Sequence, residues 1–165
     1  MTISRIIESA TSLGAPWVHQ LIESQVELIR EAASKADVLV IELDGSRMRT
    51  LDRLFAEYKE QFSFPEYFGW NWNAFKECLG DLEWLPARKY LTIITHADEV
   101  LSTELSELGT FRRVVQSVGK TWSTTVGLGY KRGHGEIPFN TVFIQDYDSG
   151  RPLDSLASYA SELRR

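Results

Sequence analysis

The chain has little of what builds covalent or metal-held frameworks. A single cysteine, Cys78, stands among 165 residues, which excludes an internal disulfide and a cysteine-built metal site. The three histidines, His19, His96 and His134, are widely separated and show no metal-ligand spacing. Long apolar runs are missing too. The longest aliphatic stretch covers residues 38–41, far short of the roughly 20 residues a membrane span requires. Residues 1–15 carry Arg5 and Glu8 among scattered apolar positions and hold no signal-peptide core. A soluble, cytoplasmic protein of one domain is therefore expected, with neither internal repeats nor low-complexity tracts. No charge sign dominates. Eighteen Lys and Arg against 23 Asp and Glu leave a net charge of −5, ordinary for solubility and unlike a surface built for nucleic acid.

What is present is unevenly placed. Between Pro65 and Leu85 the acids Glu66, Glu77, Asp81 and Glu83 face one base, Lys76, and the same stretch holds Tyr67, Phe68, Trp70, Trp72, Phe75 and Trp84. Between Phe111 and Gly135 the bases Arg112, Arg113, Lys120, Lys131 and Arg132 meet no acid until Glu136.

Hydrophobic periodicity orders the chain into an α/β pattern. Ile3, Ile6, Ile7, Ala10 and Leu13 fall at helical spacing, as do Leu21, Val26, Leu28, Ile29, Ala32 and Ala33 after the break at residues 14–16. Residues 16–21 read either as extended chain or as the start of that second helix. Residues 38–43, 90–95 and 140–145 are apolar, β-branched runs that predict buried strands. Thr50 is placed to cap a helix with Leu51, Leu54, Phe55, Tyr58 and Phe62 on one face, stopped by Pro65. Further helices are predicted over 71–82 and 102–117, with a short one near the C-terminus through Leu153, Leu156, Ala157, Ala160 and Leu163. Strands alternating with helices imply a parallel sheet with crossover connections. Residues 121–136, with Gly127, Gly129, Gly133 and Gly135, read as a hairpin or a loop.

No catalytic constellation emerges. Cys78, His96 and Asp98 are the ingredients of a nucleophilic triad, but helical spacing turns Cys78 toward the core beside Phe75 and Leu82, where a cysteine is packing. The stretch from Gly127 to Gly133 fits neither the dinucleotide nor the P-loop spacing. The acidic helix is more informative. Asn73, Glu77 and Asp81 follow at intervals of four, so they share a face, while Trp72, Phe75, Leu79 and Leu82 lie opposite. Like charges one turn apart repel by a few tenths of a kcal/mol, and a solvated surface is the plain explanation. The aromatic segment from Pro65 to Trp70, directly before that face, instead points to an interface anchor with electrostatic steering.

The run from Phe64 to Leu79, FPEYFGWNWNAFKECL, resembles the core motif of the barstar family of ribonuclease inhibitors. The likeness holds in order and spacing from about Val38 through Leu101 and more weakly to Ile144. It implies a three-stranded parallel sheet packed with helices: one barstar-like domain over 1–165, with an N-terminal helical extension (1–37), a core (38–145) interrupted by a basic Gly-rich insertion (121–136), and a C-terminal tail helix (146–165). It implies one-to-one binding of a basic ribonuclease, with no chemistry, no cofactor, no metal and no role for membrane or nucleic acid. By position, Tyr67 matches an interface tyrosine, Glu77 the principal inhibitory aspartate and Trp84 an interface tryptophan. Phe68, Gly69, Trp70, Asn73, Lys76 and Asp81 complete the expected partner-binding set. The pattern departs from the family at two of these positions: Asn73 replaces an aspartate and Lys76 a tryptophan. Close charge pairs across such an interface couple by about 1.5–7 kcal/mol, so these departures imply a ribonuclease of different cleft pattern. Two other readings compete. An interaction module on the same fold would bind through Tyr67, Trp70 and Trp84 and tolerate loss of Glu77. A nucleic-acid binder would depend on Lys131 and Arg132. The segments outside the motif are expected to cover sheet edges and enlarge the core.

Overall fold

A computed structural model describes residues 3–124 and 136–146. In chain order the elements are α1 (Ile3–Ser9), β1 (Val18–Ile22), α2 (Val26–Lys35), β2 (Leu39–Asp44), α3 (Leu51–Gln61), α4 (Trp72–Asp81), β3 (Tyr90–Thr95), α5 (Leu108–Trp122) and β4 (Phe139–Gln145), joined in places by short 3-10 turns. The expected tail helix and residues 125–135 of the Gly-rich stretch lie outside the described residues.

The sheet has four parallel strands in the order β1-β4-β3-β2, which corrects the expected three. The added strand comes from the expected helical extension, at residues 16–21 where the extended reading was the alternative. Its alternation is the physical reason: His19 and Leu21 turn inward while Val18, Gln20 and Ile22 stay half-buried, a period of two that fits an edge strand. Thr141 N–H donates to Trp17 O at 2.9 Å beside the paired residues of β1 and β4. Leu21 therefore belongs to a strand, and α2 begins only at Val26. The last long helix also shifts, running from Leu108 to Trp122 and taking in the first residues of the expected insertion.

Both faces of the sheet are covered, as continuous apolar strands require. Tyr90 and Ile94 of β3, with Phe139 and Phe143 of β4, join the larger core under α3, α4 and α5; Leu91, Ile93, Val142 and Ile144 form a second core with Ala10, Ile29 and Ala33. Residues 1–37 thus contribute an edge strand and helical cover for the second face. One close approach locks the layers together. A Cβ on Gly119 of α5 would lie 2.5 Å from Trp17 Cβ and 2.7 Å from Phe139 O, so only glycine lets the helix sit this near the sheet.

Candidate functional site

The acidic helix α4 is held from both ends and from beneath. Asn71 is its N-cap, with Oδ1 accepting from Ala74 N–H at 2.9 Å and Nδ2 donating to Gly69 O at 3.1 Å. At the other end Leu82 adopts φ 48°, and its N–H donates to Cys78 O at 3.2 Å. Beneath, Phe75 is fully buried among Phe55, Tyr58, Trp72 and Phe111, with ring centroids 4.7–6.4 Å away. Indole N–H groups tie the helix to its surroundings: Trp72 donates to Glu107 Oε2 at 2.9 Å and Trp122 to Leu79 O at 2.9 Å. The result is a rigid rod whose outward face carries Asn73, Lys76 and Glu77, all exposed, and Asp81, half-buried.

The preceding loop presents aromatic rings selectively. Tyr67 is 74% exposed and Trp70 46%, whereas Phe68 is 3% exposed and packs edge-on against Phe55 at 5.7 Å. Trp70 sits at φ 53° and tilts against Phe68 at 5.5 Å. A bulky residue in the left-handed region carries backbone strain of order 1–3 kcal/mol, and such strain gathers at functional sites. Gly69 between them is exposed. Trp84 is half-buried, its Nε1 donating to Phe62 O at 2.8 Å and its ring meeting Phe64 edge-on at 6.4 Å.

Of the nine residues singled out by sequence, the structure brings Tyr67, Phe68, Glu77 and Asp81 around one cleft, together with Ala74 and Cys78. Gly69, Trp70, Asn73, Lys76 and Trp84 do not line it. The capping role of Asn71 went unnoticed, although an asparagine directly before a helical run is a readable start signal. Charge placement on the rod opposes local helix stability. Glu77 and Asp81 repel one another, and Asp81 sits in the last turn, where the helix macrodipole disfavours an anion.

The alternative chemistries fare differently. Burial, then the charges of Asp81 and Glu77, push the Cys78 thiol above its ordinary value, which keeps it protonated at neutral pH and a poor nucleophile. His96 lines a separate cleft at the carboxyl ends of β3 and β4. Among the described residues no group of His, Cys, Asp and Glu is placed to hold a metal ion, and no helix is long and apolar enough to cross a membrane. In the basic stretch, the Arg112 guanidinium lies 4.6 Å from the centroid of the Phe143 ring, so part of that charge is spent on packing against the sheet. Lys131 and Arg132 lie outside the described residues.

The structure is thus an α/β layer that sets an acidic helix beside an exposed aromatic loop. The barstar (barnase inhibitor) family model matches residues 38–143, and the chain belongs to that family. The family's description is of barnase inhibitors. No curated protein matches the chain. The matched region runs from β2 into β4 and contains the whole candidate site; α1, β1 and α2 precede it.

Proposed function

We propose that the chain is a ribonuclease inhibitor of antitoxin or immunity type, which occludes the active site of a basic nuclease in the cytoplasm by laying the 65–70 loop and α4 across it. The observation that carries this reading is the rigid α4 face, with Glu77 and Asp81 one turn apart beside the exposed Tyr67 and Trp70. A carboxylate fixed on a helix stands in for a substrate phosphate before the cationic groups of a nuclease cleft, and it offers no bond to cleave. Anionic charge on the approach face also raises the encounter rate with a basic partner, an effect that salt screens. Tyr67, Trp70 and Glu77 make the contact, Gly69 lets the loop approach closely, and Asn73 and Lys76 tune which nuclease fits. Phe68 supports the loop from below.

The test is cleavage of RNA by a barnase-like ribonuclease titrated with the protein and with Glu77→Ala at two salt concentrations. Stoichiometric inhibition that weakens in the variant and at high salt is the expected result. Binding that is indifferent to Glu77→Ala but lost on truncation of Tyr67 and Trp70 would instead favour an interaction module with a non-nuclease partner.

A further inference from the structure

The chain leaves neighbouring strands of the sheet for opposite faces. β1 runs into α2, whose Ile29 and Ala33 lie in the second core, while β3 leads to α5, whose Phe111, Val115 and Val118 lie in the larger core. β4 sits between β1 and β3. Connections that diverge in this way open a crevice at the carboxyl ends of a parallel sheet, where ligands of such folds are held. Here the crevice is a cleft of about 410 Å3, within the roughly 300–1,000 Å3 of small-molecule sites. It is lined by the segment that follows β1, by His96 at the end of β3 and by the end of β4.

The lining charge sets the sign of the ligand. Glu23, Glu27 and Asp146 meet a single guanidinium, Arg30. That guanidinium is engaged, bonding Glu27 and donating from Nε to Glu42 Oε1 at 2.9 Å, so it offers little to an anion. The Glu23 carboxylate is exposed and makes no hydrogen bond or ion pair among the described residues. The exposed His96 imidazole adds an acceptor in its neutral form. Half-buried Val26 and buried Ile144 supply apolar surface between these polar groups. An ammonium donates charge-assisted bonds to a carboxylate while its methylenes lie along apolar side chains. A bare metal ion suits the cleft less, since among the described residues no group of His, Cys, Asp and Glu is placed to hold one.

We infer that this cleft binds a small aliphatic amine, with Glu23 as the anchoring carboxylate and Val26 and Ile144 against the carbon chain. The inference is independent of the inhibitory reading, because the cleft shares no residue with the 65–70 loop or α4.

The experiment uses the full chain labelled for NMR and titrated at physiological salt with 1,4-diaminobutane, with the neutral isostere 1,4-butanediol as control. Saturable shifts at residues 22–30, 95–97 and 143–146 are expected for the diamine and none for the diol. Glu23→Gln, an exposed substitution, should weaken diamine binding about tenfold, in line with loss of a charge-assisted hydrogen bond. Absence of a response, an equal response to the diol, shifts confined to residues 67–81, or binding untouched by Glu23→Gln overturns the amine site. Inhibition of a ribonuclease without diamine binding refutes the amine site alone, and diamine binding without inhibition of any ribonuclease refutes the inhibitory reading alone.

Discussion

Glu77 shows at the scale of one residue how binding and stability pull apart. It is exposed in the middle of α4, one turn before Asp81, and like charges at that spacing repel. Glu77→Gln should therefore raise the stability of the fold by about 0.2–0.5 kcal/mol, read as the midpoint of denaturant unfolding, while weakening partner binding. Lower stability would show that Glu77 has a structural role. His19 gives a second test at this scale. Asn140 Nδ2 donates to Ser12 O at 2.9 Å, so its Oδ1, 2.9 Å from His19 Nε2, is the acceptor and the neutral ring carries its proton on Nε2. Burial lowers the His19 pKa below its ordinary 6.5, against the raising effect of the Asn140 bond. Below about pH 6.5 the unfolded chain then binds more protons than the folded one, and stability falls as pH drops through that window. Unfolding of His19→Gln, followed against pH, should lose this component of the acid dependence; an identical pH profile would contradict it. Legibility at this scale was mixed. The shared face of Glu77 and Asp81 follows from their spacing, but the burial of Phe68 between two exposed rings does not, because a loop has no period to separate in from out.

Among the elements, those whose burial is two-sided or strictly periodic were readable from sequence. β3 runs from Tyr90 to Thr95 as its apolar run predicts, and α3 starts after Thr50, whose Oγ1 accepts from Arg53 N–H at 3.2 Å. β1 resisted because a five-residue strand containing His19 and Gln20 competes with the helical pattern of the residues that follow it. Its identity is decided by a tertiary partner, β4, more than 120 residues away. The start of α5 was also misplaced, since residues 102–107 are largely turns rather than the helix their composition suggests. The close packing of α5 on the β1–β4 seam makes an element-level prediction. Gly119→Ala puts a methyl group into Trp17 and the Phe139 carbonyl and should destabilise by about 1–3 kcal/mol. Chemical denaturation measures it. A neutral effect would mean that the helix can lift from the seam.

For the molecule as a whole, a division of labour follows from the two cores. The residues matched by the family, 38–143, carry β2, β3, most of β4, α3, α4 and α5, and with them the loop and the acidic rod. Residues before 38 cover the opposite face and add an edge strand, extending the scaffold without lining the cleft beside α4. The long motif from Phe64 to Leu79 made the family legible, but the three strands its likeness implied fall one short of the four in the sheet. The central claim is that a carboxylate on a staked helix does the inhibiting. Its most direct measurement is the stoichiometric titration of a barnase-like ribonuclease with the protein and with Glu77→Ala at low and high salt. The account predicts inhibition by the protein that falls by at least about tenfold in the variant, as loss of a buried interfacial charge contact implies, with a further loss at high salt. Equal inhibition by the two proteins at both salt concentrations would contradict it.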